Sequence, residues 1–102
     1  MISLVEDHRE AVEALCRLFQ VRRLDLFGSA TGPEFDPATS DLDFLVEFRP
    51  LPLGERANAY FGLLKGLQDL FRREVDLVTV PSVTNPFLRQ SIERSKTLLY
   101  AA

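Results

Sequence analysis

Residues 26–48 read LFGSATGPEFDPATSDLDFLVEF. The stretch joins an apolar approach, a Gly28-Ser29 turn, a polar loop, a Ser-Asp-x-Asp and an apolar run ending in Glu47-Phe48. The segment from Asp41 to Phe48 is rich in aliphatic and aromatic residues and lacks Gly and Pro, which predicts a strand. Side chains alternate across a strand, so Asp41, Asp43, Leu45 and Glu47 share one face and Leu42, Phe44, Val46 and Phe48 the other. The second face is wholly apolar and reads as core. On the first, Asp41 and Asp43 stand roughly 6–7 Å apart at Cα, from a rise of about 3.3 Å per residue. Left unneutralised, two such carboxylates repel and raise each other's pKa. A divalent cation between them removes that cost, and Mg²⁺ favours one or two carboxylates together with waters and substrate phosphates. Taken alone, the Asp-x-Asp fits equally well a turn aspartate followed by a solvated strand-edge aspartate.

The turn before it changes the weight of that alternative. Arg23 to Phe27 (RLDLF) is a short candidate strand that Gly28-Ser29 ends. Glycine adopts φ > 0 and lets backbone approach a ligand closely. Serine offers a hydroxyl and an N–H to phosphate oxygens, and a helix starting here would add free N–H groups and a positive dipole end. An isolated Gly-Ser is more often an ordinary turn. Gly-Ser after one strand and Asp-x-Asp heading the next is a more specific arrangement. One part suits anionic phosphates, and the other suits the metal that neutralises them.

With these residues in view, the sequence resembles the minimal nucleotidyltransferases, the small branch of the DNA polymerase β-like nucleotidyltransferase superfamily. The phrases FGSA, FDPATSDLDFLVEF and EVDLVTV carry the likeness. It implies a nucleotidyltransferase fold and an enzyme that transfers a nucleoside monophosphate, AMP from ATP or the equivalent from another NTP. It implies two Mg²⁺ ions, with Asp41, Asp43 and Asp76 as metal ligands and catalytic residues, and Gly28 and Ser29 holding the triphosphate. Asp76 would serve the acceptor side and help deprotonate the attacking hydroxyl. The resemblance also implies a protein acceptor, a HEPN-domain toxin modified commonly on a tyrosine, with this chain as its antitoxin. One departure stands out. Gly32 and Pro33 occupy the place where many members carry Arg-Gly, so a basic side chain that could steady transition-state charge is absent there. Arg49, Arg56 and Lys65 are candidate substitutes. The alternative function is a binding antitoxin with a weak or inactive site, which neutralises its partner by complex formation.

Outward from the motif, Ser3 to Gln20 predicts one helix, with Ser3 and Glu6 as a capping box. His8 reads as solvated, and no second His or Cys stands at metal-ligand spacing. Arg22 and Arg23 read as a solvated helix end, with contact to a partner as the functional alternative. Pro33, Asp36 and Pro37 keep residues 32–40 in a loop, with Phe35 pinning it to the core and Glu34 and Asp36 solvated. Arg49 to Glu55 (RPLPLGE) is a breaker cluster. Ala57 to Arg72 predicts a second helix, whose Gly62 and Gly66 suggest close backbone packing. Its Tyr60 reads as a packing residue, with base stacking as the alternative. Glu74 to Val80 predicts a third strand with Glu74, Asp76, Val78 and Val80 on one face. An unpaired charge within an apolar strand is expensive, so Asp76 needs a metal or an Arg partner such as Arg72 or Arg73. Asn85-Pro86 opens a last helix as N-cap and N1. Phe87, Leu88, Ile92, Leu98 and Leu99 pack it, and Arg89, Arg94 and Lys96 form its solvated face.

The elements run helix, strand, loop, strand, helix, strand, helix. They predict an α+β domain, residues 1–102, with a short mixed sheet of at least three strands and helices packed on one side. Net charge is −3, which argues against a broad nucleic-acid surface. The single cysteine, Cys16, excludes an internal disulfide and reads as a buried small hydrophobe. No basic-then-apolar leader and no long apolar run appear, so a cytoplasmic protein without membrane spans is expected. With 102 residues, no second domain is expected to hold the acceptor.

Overall fold

The computed structural model describes residues 3–31, 41–80 and 84–102. The elements are α1 (Ser3–Glu6), α2 (Arg9–Leu18), β1 (Val21–Phe27), a 3₁₀ turn (Gly28–Thr31), β2 (Leu42–Phe48), α3 (Leu53–Phe71), β3 (Val75–Thr79), α4 (Pro86–Ser95) and β4 (Thr97–Ala101). The sheet order is β3-β2-β1-β4. β1 is antiparallel to both β2 and β4, and β2 is parallel to β3. The sheet is therefore mixed and the architecture α+β.

Alternation in β2 sets the register. Leu42, Phe44 and Val46 are fully buried against Leu24 and Leu26 of β1, Leu77 of β3, Val12 and Cys16 of α2, and Leu63 and Leu67 of α3. Each such Leu, Val or Phe contributes about 1.5–3 kcal/mol on burial. A one-residue slip would expose all three and push Asp43 into the core. Burial also raises the Cys16 thiol to about 12, so it stays protonated and packs as a hydrophobe. Among the described residues no helix is long and apolar enough to cross a membrane.

Several expectations are corrected. The N-terminal helix is two pieces, broken at Asp7-His8. His8 is half-buried rather than solvated: its Nδ1 donates to the Leu4 carbonyl at 2.8 Å, and its ring meets Phe71 edge-on at 5.4 Å. The second long helix starts at Leu53, four residues before Ala57, because Pro52 (φ −57°, ψ 153°) serves as its N-cap and Gly54 lies in its first turn. Leu98 and Leu99 belong to β4, which pairs with β1, rather than to the last helix. Finally, the helices do not all lie on one side. Ile92 of α4 packs on Phe27, Leu45 and Val78, on the face opposite the main core, while Phe87 and Leu88 of α4 are exposed. The cap of α4 is as expected: Asn85 Oδ1 accepts from Phe87 N–H at 2.8 Å and Leu88 N–H at 3.3 Å, with Pro86 beside it.

The two glycines of α3 are close-contact positions. A Cβ on Gly62 would collide with the Phe19 ring, and one on Gly66 would come within 2.7 Å of Leu15 Cδ2. Gly62→Ala should therefore destabilise by about 1–3 kcal/mol through overpacking. Urea unfolding checks this. A gain near the roughly 1 kcal/mol of helix propensity that alanine offers would contradict the contact.

Candidate active site

The core-driven register of β2 places Asp43 directly beside Asp76 of β3, on the face away from the main core. Asp41 stands just before β2 and is exposed, as is Asp76, while Asp43 is half-buried. Desolvation, then the charges of Asp76 and Asp41, raise Asp43 to about 6. Glu74 precedes β3, is exposed, and uses its carbonyl to accept the Leu42 N–H at 3.2 Å. Of the two acidic residues there, Asp76 is the one registered with Asp43.

β1 delivers the turn to the same place, because Phe27 pairs with Asp43 and Gly28 follows. Gly28 has φ 76°, a left-handed conformation, and a Cβ on it would collide with the Asp43 carboxylate. Its N–H donates to Ser95 Oγ at 3.2 Å, and Ser95 Oγ in turn donates to the Ser91 carbonyl at 3.1 Å. Thr31 Oγ1 donates to the Gly28 carbonyl at 2.8 Å. Gly28 thus supplies space beside Asp43 rather than a free amide. Ser29 lies in the 3₁₀ turn, and its side chain is outside the described residues, as are Gly32, Pro33, Glu34, Phe35 and Asp36.

Three contributors escaped sequence reading. Ser91 and Ser95 carry no local signal for a bond 67 positions away in sequence. Asp25 is only 2% exposed and shares the face of Phe27; Arg23 holds it at 3.0 and 3.3 Å. The i,i+2 spacing of Arg23 and Asp25 on one strand face was the available clue. Tyr60 packs on the core and donates to the Leu77 carbonyl at 2.6 Å. Burial, then the charge of Asp76, raises its phenol pKa.

The candidate substitute cations lie elsewhere. Arg49 follows the far end of β2, Arg56 lines a cavity with it there, and Lys65 pairs with Asp69 at 3.5 Å on the exposed side of α3. Among the described residues no group of three or more His, Cys, Asp or Glu side chains is gathered into a ready-made metal cage. The donor chemistry nevertheless fits a hard divalent cation. Two registered carboxylates with a third nearby repel one another, and the glycine leaves room beside the most buried of them.

Because Asp43 is raised above its ordinary value, the native state binds more protons than the unfolded chain between about pH 4 and 6. Its contribution is most favourable below that window and is lost as pH rises through about 6. In metal-free buffer at pH 7.5, Asp43→Asn should stabilise by roughly 1 kcal/mol after allowance for solvent screening, raising Tm by about 4–8 °C. At pH 4 the difference should vanish. An unchanged or lower Tm at pH 7.5 would contradict the assignment. Gly28→Ala should cost about 1–2 kcal/mol from left-handed backbone strain alone, with more from the collision; a neutral result in urea unfolding counts against the close approach.

Comparison with known proteins meets this geometry. The nucleotidyltransferase domain family matches residues 8–99. A protein of Methanocaldococcus jannaschii, provisionally named a protein adenylyltransferase, is 34% identical over 93 residues, covering 90% of this chain and 91% of that protein. A solved structure described provisionally as a minimal nucleotidyltransferase aligns with a TM-score of 0.72 at 30% identity, covering 91% of this chain and 90% of that one. A crystal structure of a toxin–antitoxin with AMP-PNP shares the fold at a TM-score of 0.67 and 23% identity, covering 92% of this chain and 73% of that one. The family match runs from α2 into β4 and takes in both strands that carry the aspartates, so this chain belongs to the nucleotidyltransferase domain family and its enzyme class is nucleotidyl transfer.

Proposed function

We propose that this chain transfers AMP from ATP to a hydroxyl of a protein acceptor in a Mg²⁺-dependent reaction, and that the acceptor is a HEPN-domain toxin which it neutralises. The observation that carries the chemistry is the pairing of Asp43 with Asp76 beside a glycine whose missing Cβ lets the Asp43 carboxylate lie against the turn. The name of the Methanocaldococcus jannaschii relative supports a protein acceptor and adenylyl transfer. The toxin–antitoxin structure with AMP-PNP supports a toxin partner and an adenine nucleotide.

Asp41 and Asp43 would hold both Mg²⁺ ions, and Asp76 the ion on the acceptor side. When bound, the ions neutralise phosphate charge and act as Lewis acids on the attacking and leaving oxygens. The acceptor oxygen, commonly of a tyrosine, forms a bond to the α-phosphorus. The bond from that phosphorus to the β-phosphate oxygen breaks, and pyrophosphate leaves. Asp76 takes the proton of the acceptor hydroxyl as general base. Gly28 and Ser29 form the turn that would hold the triphosphate, and Gly28 lets the Asp43 carboxylate approach that turn.

A second reading, neutralisation by contact alone, is favoured by Gly32 standing where the resemblance expects a basic side chain. Intact mass of the neighbouring gene's product, incubated with the protein, ATP and Mg²⁺, tests the primary reading. One or more added AMP units are expected. Asp43→Asn and Asp76→Asn should each lower the rate by at least about 100-fold. No added mass, with toxin neutralisation that survives Asp41→Asn and Asp43→Asn, would establish the contact reading instead.

A further inference from the structure

The proposed chemistry uses no arginine, and three of them meet at the end of β2 far from Asp41. Arg22 on β1, Arg49 just past β2 and Arg56 on α3 line a cavity of about 420 Å³ together with Glu47, Phe48 and Val80. All three arginines are exposed. Their backbones are fixed from three directions. Arg49 N–H donates to the Gln20 carbonyl at 2.9 Å, Ala102 N–H to the Arg22 carbonyl at 2.9 Å, and Arg56 N–H to the Pro52 carbonyl at 2.9 Å. Arg56 Nη2 also donates to the Leu51 carbonyl at 3.3 Å. Among the described residues Glu47 is the one carboxylate lining the cavity; Asp25, on the neighbouring strand, is held by Arg23.

Three guanidiniums against one carboxylate make a local basic site on a chain of net charge −3. The aspartates stand at the other end of the same strand. Asp43 and Glu47 are four residues apart, roughly 13 Å along β2. The molecule is therefore polarised along β2. An acidic ligand is repelled at one end and attracted at the other.

We propose that this cavity docks an acidic segment of the acceptor protein, with an apolar side chain seated on Phe48 and Val80 and flanking carboxylates paired with the arginines. The guanidinium fork matches a carboxylate in two parallel hydrogen bonds. A nucleic-acid backbone calls instead for a continuous basic stripe and a positive domain, whereas this cavity is lined in part by Val46, Phe48 and Val80 and the net charge is −3. Repulsion from Asp41, Asp43 and Asp76 confines the segment to the arginine end, which orients the acceptor along the sheet. This docking rests on the reading that the acceptor is a protein.

The probe is a fluorescein-labelled hexapeptide of Glu and Asp around one Phe, titrated with the full chain and read by fluorescence anisotropy. Saturable binding is expected. It should weaken at least tenfold in the double variant Arg49→Glu, Arg56→Glu, and stay unchanged in Arg94→Glu. The double variant should also raise the KM for the acceptor protein without changing kcat or the KM for ATP. Arg49→Gln with Arg56→Gln, which adds no negative charge, should show the same direction of loss. Peptide binding that is undetectable, or equal in wild type and both arginine variants, overturns the docking, as does tighter binding of a hexauridine oligonucleotide. Peptide binding intact with no AMP transfer by the wild type overturns the transferase reading and leaves the docking surface supported.

Discussion

The parallel pairing of β2 with β3 is the constraint on which the rest of the structure depends. It is dictated by Leu42, Phe44 and Val46, whose burial against α2 and α3 tolerates only one register. The core thereby decides the position of residues that take no part in it. Asp43 lands beside Asp76 because Phe44 and Leu77 must share the opposite face. β1 then fills the other side of β2 in antiparallel fashion, and its end brings Gly28 to Asp43. Sequence separation matters little here: residues 28, 43 and 76 meet because three apolar strand faces do.

That meeting is electrostatically unfavourable. Asp43 is partly desolvated and faces two further carboxylates, and its raised pKa reports both effects. A site that destabilises the free protein is the usual counterpart of a site built for something absent from it. A cation and a triphosphate would reverse the sign of the interaction. The fold offsets the cost in its other layers: the main core under α2 and α3, the smaller cluster of Phe27, Leu45, Val78 and Ile92 under α4, and the buried Asp25 neutralised by Arg23. The smaller cluster has a second consequence. By seating α4 on the sheet it brings Ser95 to the Gly28 amide and closes the glycine turn from behind.

What was legible in the sequence follows from which signals were local. The alternation of apolar residues with Asp at the head of each strand, Leu42-Asp43-Phe44 and Val75-Asp76-Leu77, set both faces of β2 and β3, and hence the aspartate placement. Asn85-Pro86 marked the start of α4 because cap chemistry is contained in adjacent residues. The misreadings arose where tertiary contacts prevailed. Leu98 and Leu99 continue a helical spacing after Ile92, yet pairing with β1 draws them into β4. Pro50 and Pro52 resemble a broken linker, whereas Pro52 caps a helix that runs on through Gly54. No breaker residue marks Asp7-His8; the division comes from the His8 ring bonding Leu4 and meeting Phe71. In the candidate site, the juxtaposition of the carboxylates and the glycine was legible, and the places of Ser91, Ser95 and Asp25 were not, because these act through partners that only the fold supplies.

The central claim is that β2 and β3 together form one cation-binding, nucleotide-binding centre. The most direct measurement is a crystal structure of the protein with Mn²⁺ and a non-hydrolysable ATP analogue, with the metal located from its anomalous scattering. The account predicts an anomalous peak in coordination contact with the carboxylates of Asp43 and Asp76, with the triphosphate running past Gly28. Density for Mn²⁺ and nucleotide at any other part of the surface, with Asp43 and Asp76 uncoordinated, would contradict it.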